Sequence, residues 1–61
     1  MSANNMITIN KKTYVVMNVD AETGYGNVVG KGKNLEDAIE IAEKEMKTEI
    51  VEYGIHFVKE L

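Results

Sequence analysis

Alternating apolar and polar positions predict three strands in the first half of the chain. They cover residues 6–9, 13–20 and 25–31. In the first strand, Ile7 and Ile9 lie on one side. The second strand is apolar on both sides, with Val15, Met17 and Val19 on one face and Tyr14 and Val16 on the other.

Turn residues and glycines divide these strands. Residues 10–12 predict a turn after the first strand. Residues 21–24 predict a hairpin turn in which Gly24 is free to adopt a positive φ. Gly26 and Gly30 weaken the third strand, and such glycines indicate a bulge or the close approach of another segment.

A helical period replaces the alternation after residue 34. Asn34 is a good N-cap, and Glu36 and Asp37 stand in the first turn, where the helix dipole favours acidic side chains. The apolar stripe of this helix consists of Leu35, Ala38, Ile39, Ala42 and Met46. Ile41 lies about 100° away from the stripe, so we expect a second surface to cover it.

The last strand and the order of elements define the fold class. Residues 50–58 alternate again and predict a strand, with Gly54 as a candidate bulge. The order β-β-β-α-β predicts an α+β fold, a single-layer antiparallel or mixed sheet of three or four strands with one helix on one face. The sheet edge that the last strand joins stays open. We expect residues 1–5 to be a disordered tail and residues 6–61 to form one small domain.

A single helix covers only one face of a sheet, so the other face is predicted to be free. We assign to this candidate dimer face Tyr14, Val16, Ile50 and Val58. So much exposed apolar surface is unusual on a small monomer. A domain of about 60 residues also buries only about 60% of its unfolded surface. These two arguments predict a homodimer.

Composition restricts the possible chemistry. The chain of 61 residues has no Cys, Pro or Trp, and its sequence shows no Arg. Without Cys there is no disulfide, no thiolate metal site and no Cys nucleophile. The single histidine, His56, has Glu52 and Glu60 as possible acidic neighbours but no nucleophile set around it. We therefore expect no enzyme activity, no metal and no cofactor.

The same composition predicts where the chain acts. The first residues carry no basic segment and no apolar stretch, so we expect no signal peptide. No apolar run approaches the roughly 20 residues that a membrane helix needs. The absence of disulfides fits a reducing compartment. We expect a cytoplasmic protein that makes no membrane contact.

The net charge is −3 and the pI is about 5.0, which disfavours nucleic acid as a partner. The alternative is a small nucleic-acid-binding accessory protein, in which Lys31, Gly32 and Lys33 form an anion-binding loop before the helix. Lys11 and Lys12 would add charge from the first turn. The loop spacing fits neither common phosphate-binding glycine motif, and a turn with solvated lysines explains it equally.

Acidic side chains gather on one side of the predicted helix. Glu36, Glu40 and Glu43 fall within about one-sixth of its circumference. Together with Ile41 they are our candidate surface for a protein partner that carries basic groups. The other interpretation is a face that only keeps the protein dissolved.

Three short segments resemble the N-terminal part of HicB-type antitoxins. They are Tyr14-Val15-Val16, Glu22-Thr23-Gly24-Tyr25 and Gly32-Lys33-Asn34-Leu35-Glu36-Asp37-Ala38-Ile39. The similarity spans residues 13–47 and follows a strand, an acidic-Gly-Tyr hairpin, a second strand and a capped helix. It implies a small non-enzymatic protein that binds and blocks another protein, often as an oligomer. Small phage-encoded inhibitors of host defence are similar in size and character.

Overall fold

The computed structural model describes residues 4–58, which form a four-stranded sheet with one helix packed on one face. The elements are β1 (Asn5–Asn10), β2 (Val15–Asp20), β3 (Gly26–Lys31), α1 (Leu35–Thr48) and β4 (Ile55–Val58). This order confirms the predicted α+β fold. β1 begins at Asn5, within the predicted tail, whose residues 1–3 lie outside the described part of the chain.

The strands lie in the order β3-β2-β1-β4. β1 pairs antiparallel with β2, and β2 pairs antiparallel with β3. β4 pairs parallel with β1, which places Ile55 beside Ile7 and Phe57 beside Ile9. The sheet is therefore mixed, and α1 is the crossover that parallel pairing requires.

Short polar side chains fix both hairpin turns. The Asn10 Oδ1 accepts hydrogen bonds from the backbone N–H of Lys12 (2.8 Å) and of Thr13 (3.0 Å). The Asp20 Oδ1 accepts in the same way from residues 22 and 23. Gly24 has a φ of +82°, as the second turn predicts. These turns set the register of the three antiparallel strands.

The glycines of β3 mark both a bulge and a close approach. Gly30 pairs with Val16 but Val28 pairs with Met17, so Val29 is an extra residue in β3. At Gly26, a Cβ would lie 2.8 Å from the backbone oxygen of Asn18. The bulge and the close approach of another segment that these glycines indicate are both present.

The N-terminus of α1 is capped as the sequence predicts. The Asn34 Oδ1 accepts from the backbone N–H of Asp37 at 2.8 Å. The Asp37 Oδ2 in turn accepts from the backbone N–H of Lys33 at 3.0 Å. Two of the N–H groups at this helix start are thus satisfied by side chains of the same segment.

The core lies between α1 and the sheet. Ile7, Ile9 and Val16 from the sheet and Ala38 and Ala42 from the helix are fully buried. The two alanines carry no bulk, so the helix backbone approaches the strands closely. Around this centre pack the partly buried Tyr14, Val29, Ile39, Ile41, Val51 and Ile55.

The prediction for the faces of β2 is wrong in one respect. Val16 pairs with Ile9, and both side chains are fully buried on the side of the sheet that α1 covers. Val16 therefore cannot belong to a free face. Val15, Met17 and Val19 occupy the opposite side, because side chains alternate along a strand. Because β2 is apolar on both sides, its own pattern does not determine which side faces the helix. The pairing of β2 with β1, next to Ile7 and Ile9, determines it.

The last strand is shorter than predicted. Residues 50–54 belong to the connection after α1, and β4 begins only at Ile55. Gly54 has a φ of +73° and forms a turn before the strand rather than a bulge within it. The connection is held to β1 by the backbone N–H of Tyr53, which donates to the Asn5 oxygen at 3.0 Å.

Gly32 joins β3 to α1, and we expect it to tolerate no side chain. A Cβ there would lie 2.5 Å from the Ala38 nitrogen and 2.9 Å from the Asn34 oxygen, which are backbone atoms. Overpacking costs about 1–3 kcal/mol, so Gly32→Ala should lower the free energy of unfolding by about 2 kcal/mol or more. Urea denaturation followed by circular dichroism measures this change.

Gly24→Asn is the matched control, because a Cβ at Gly24 meets nothing within 4 Å and asparagine tolerates positive φ. We expect a change below about 1 kcal/mol there. Equal unfolding free energies for the two variants would contradict the close packing at Gly32.

Candidate functional site

The side of the sheet that faces away from α1 carries a continuous apolar surface. Pairing places Met6 beside Val19 and Val28 beside Met17 on this side. Val28 is 66% exposed, as expected where no element covers the strand. We call this surface the open sheet face, formed by Met6, Val15, Met17, Val19, Val28 and Val58.

The open sheet face is almost free of charge. Alternation adds the polar side chains of Thr8 and His56 to it. Among the strand residues that the structure describes, Lys31, the neighbour of Val15, is the only charged residue on this side. The surface therefore suits another apolar surface and opposes neither charge sign strongly.

The four residues of the predicted dimer face do not lie together. Val16 is buried beneath α1, and Tyr14 packs against the core. Ile50 is 76% exposed but lies in the connection between α1 and β4. Only Val58 belongs to the open sheet face. The assignment of that face to these four residues is thus corrected, because β2 turns its even-numbered side toward the helix.

The acidic helix face consists of Glu36, Glu40 and Glu43, which are all exposed. Buried Ala38 and Ala42 define the opposite side of α1, so the three carboxylates face away from the sheet. Ile41 does not accompany them. It is half-buried against the core, and its Cγ2 lies 3.4 Å from the position of a Cβ on Gly30.

The second surface that Ile41 requires is therefore supplied by β3 of the same chain, and its assignment to a partner-binding surface stays a prediction. A Cβ added at Gly30 would be in ordinary van der Waals contact with the Ile41 side chain, so this part of β3 lies directly against Ile41.

Four lysines gather at one end of the sheet, which we call the lysine end. Lys11 and Lys12 stand in the turn between β1 and β2. That turn adjoins the loop before α1, because Lys31 pairs with Val15 and the backbone N–H of Gly32 donates to the Tyr14 oxygen at 2.9 Å. Lys33 follows in the same loop.

The loop of Lys31, Gly32 and Lys33 is not an anion cradle of free backbone N–H groups. The N–H of Gly32 donates to Tyr14, and the N–H of Lys33 donates to the Asp37 carboxylate. Gly32 is also buried. The loop sequence suggests a phosphate site, but its donors are already used within the chain.

The opposite end of the molecule has a polar cleft of about 600 Å³ between the C-terminal half of α1 and the β2–β3 hairpin. Its polar lining consists of Asn5, Asn18, Asp20, Asn27, Glu45 and Glu49, with Tyr25 at the side. The Asn18 amide connects the lining, since it accepts from the Asn5 Nδ2 at 3.2 Å and donates to the Glu45 Oε2 at 3.3 Å.

Sequence reasoning missed this polar cleft. Its volume lies within the usual range of about 300–1,000 Å³ for ligand pockets. The available signal was Asn18, a polar residue on the side of β2 that also carries Val16. An asparagine in that position leaves a polar floor where a core residue would otherwise pack.

The cleft presents carboxylates and amides, and its lining includes no lysine, histidine or hydroxyl nucleophile beyond the Tyr25 phenol. His56 lies elsewhere, exposed on β4, with its Nε2 2.8 Å from the Tyr53 oxygen. Within residues 4–58, no three His, Asp or Glu side chains are grouped so that they could hold a metal ion.

No known protein family matches the chain, and no characterised protein or solved structure is detectably similar to it. The resemblance of residues 13–47 to HicB-type antitoxins therefore stays a prediction. Among the described residues, no helix has the length and apolar character that crossing a membrane requires.

The packing of Ile41 against Gly30 generates a test. Ile41→Ala should lower the free energy of unfolding by about 1–2 kcal/mol, because a half-buried isoleucine loses part of the roughly 2–5 kcal/mol of a full core truncation. Thermal unfolding by circular dichroism measures the effect. Ile50→Ala is the control, since Ile50 is 76% exposed and should change stability by less than about 0.5 kcal/mol. Equal effects would place Ile41 on the surface after all.

Proposed function

We propose that the chain is a small non-enzymatic binding protein that antagonises a protein target and acts as a homodimer in the cytoplasm. The open sheet face is the observation that carries this proposal. Exposed apolar surfaces of this kind mark interaction sites in proteins of this size. The absence of cysteine in the sequence supports the cytoplasmic part, because reduced chains of this length need no disulfides there.

The target surface is expected to be apolar and flat. The open sheet face has Val28 as its most exposed described member, at 66%, with Val58 at 39% near the β4 edge. Its near neutrality means that binding depends on apolar burial, at about 25 cal/mol for each Å² removed from water, more than on salt-sensitive charge pairs.

The acidic helix face provides a second surface for the target, one that suits basic groups. Glu36, Glu40 and Glu43 lie on the other side of the molecule from the open sheet face, so one chain presents an apolar side and an acidic side. Like charges oppose self-association through α1, and the net charge of −3 adds to this effect. The carboxylates remain available to a basic region of the target.

The antagonist class is supported by the resemblance of residues 13–47 to HicB-type antitoxins. An antitoxin-like protein or a phage inhibitor of host defence needs no catalytic group, only a surface that blocks its target. Both alternatives use the same apolar surface, and the identity of the captured target distinguishes them.

Val28→Asp tests the proposal. The tagged chain is used to capture proteins from a lysate of the organism that carries its gene, and the captured protein is identified and then titrated in purified form by calorimetry. Val28→Asp should weaken this affinity at least about tenfold, because it buries a charge in an apolar contact. Ile50→Asp, at a similarly exposed apolar residue off the face, should bind as the wild type does.

Equal affinity of the Val28→Asp variant and the wild type would show that the target does not use the open sheet face. Both substitutions add the same charge, so the comparison separates the position from the chemistry.

Nucleic-acid binding is the second candidate, and the lysine end favours it. Lys11, Lys12, Lys31 and Lys33 meet at one end of the sheet although they are distant in sequence. The negative net charge and the internal use of the Gly32 and Lys33 N–H groups weigh against it.

The double variant Lys31→Glu with Lys33→Glu tests this second candidate. If the lysine end binds nucleic acid, a gel shift with the wild type should weaken as salt rises, and the double variant should abolish it. Lys44→Glu with Lys47→Glu, which makes the same charge change at exposed positions on α1 away from the lysine end, is the control for a general charge effect. A shift that survives the reversal at Lys31 and Lys33 would remove the lysine end as the binding site.

A further inference from the structure

The two edges of the sheet differ in their protection against pairing with another strand. The β3 edge is interrupted by the bulge at Val29 and ends at exposed Lys31. Bulges and edge lysines are the usual features that prevent a further strand from adding. The β4 edge, residues Ile55–Val58, is regular in its pairing and contains no charged residue. β4 is therefore the unprotected edge.

The backbone of β4 has a defined outward side. Toward β1, the Gly54 oxygen accepts from the Ile7 N–H and the Val58 oxygen accepts from the Lys11 N–H, each at 2.9 Å. In a parallel ladder, alternate residues turn their N–H and C=O groups to opposite sides. The N–H and C=O groups of Ile55 and Phe57 consequently face the edge.

The helix leaves the same edge largely uncovered. α1 packs across β1, β2 and β3. Phe57 and its neighbour Ile9 lie on the helix side of the sheet, yet Phe57 is 50% exposed whereas Ile9 is fully buried. A half-exposed aromatic side chain on an unprotected edge is the kind of group that a partner covers.

We propose that β4 pairs antiparallel with β4 of a second copy, about a twofold axis that passes beside His56. This register sets Ile55 opposite Phe57 of the second copy, and Phe57 opposite its Ile55. All four outward backbone groups of each strand then find partners, in four hydrogen bonds. Each Phe57 packs against an isoleucine, a favourable cross-strand combination.

The second copy is the occupant that charge favours. No residue of Ile55–Val58 is charged, so within these four residues the twofold register places no like charges opposite each other. The acidic helix face would oppose association of two copies through α1, whereas the β4 edge does not. Two identical apolar edges with matching hydrogen-bond spacing are complementary without any further partner.

The pairing enlarges the proposed target surface, and this consequence rests on the proposed function. Four strands spaced about 4.8 Å apart and about 20 Å long outline about 400 Å² on the open sheet face of one copy. Two copies joined through β4 form one eight-stranded sheet whose open faces adjoin. The joint surface of about 800 Å² matches what a standard protein interface takes from each partner.

Charge exchange at His56 tests the register, because this residue lies opposite itself across the proposed axis. His56→Lys and His56→Glu should each weaken the dimer about threefold to fivefold, since like charges directly opposite are unfavourable. An equimolar mixture should form a heterodimer about tenfold tighter than either homodimer. Sedimentation equilibrium of the purified chains measures the dissociation constants of the two homodimers and of the heterodimer. Circular dichroism verifies that both variants are folded.

Phe57→Pro and Phe57→Val form a second, independent pair. The Phe57 N–H faces the edge, so proline removes no hydrogen bond to β1 and blocks only the outward side. Both variants lose the aromatic ring, but only proline should abolish the dimer. A valine variant as monomeric as the proline variant would show that the edge hydrogen bonds contribute nothing.

A wild-type chain that remains monomeric at high micromolar concentration overturns the proposal, and so does a mixture no tighter than the two homodimers. These measurements use no target protein, so they test the β4 pairing independently of the capture experiment, which tests target binding. Val28→Asp should keep the dimer while it loses the target. A Val28→Asp variant that is monomeric would instead place the second copy on the open sheet face.

Discussion

The structure depends on one steric constraint, which is that a single helix must cover a four-stranded sheet. A helix is about 10 Å wide, whereas four strands span about 19 Å. Ala38 and Ala42 bring α1 close to Ile7, Ile9 and Val16, so the tight core lies over the two central strands, β1 and β2. The edge strand β4, which lies outside the strands that α1 packs across, keeps its aromatic residue half-exposed, and no element within residues 4–58 covers the opposite side of the sheet. The candidate protein contacts lie on the surfaces that this shortage leaves.

The topology also separates charges that the sequence mixes. Lysines from the first turn and from the loop before α1 meet at one end, because β2 joins the strands that precede both segments. Carboxylates from the end of β2 and from the C-terminal end of α1 lie at the other end, around the polar cleft. A net charge of −3 therefore describes neither end well. A partner with a basic group and an apolar surface could bind the acidic helix face with the first and the open sheet face with the second.

Local signals in the sequence predicted most of the fold, and tertiary contacts decided the rest. The helix, its Asn34 cap and the turn at Gly24 were predictable because each is determined within a few residues. The facing of β2 was not, since both of its sides are apolar and only pairing with β1 chooses between them. The surface that packs against Ile41 was not predictable either, because it is the Gly30 segment of β3, which only the tertiary fold brings beside α1. The polar cleft escaped prediction because its walls come from four separate elements, β1, β2, β3 and α1.

Smallness connects stability with function in this chain. Within residues 4–58, five fully buried apolar residues form the centre of the core, and only three of them have large side chains. A fold with so small a core gains from every additional apolar contact, and a second copy or a target supplies such contacts. Because a partner that binds only the folded state stabilises it by mass action, association and folding are then coupled. The partly covered strand β4 and the open sheet face therefore share one property. Both limit the stability of the monomer, and binding at either surface would increase that stability.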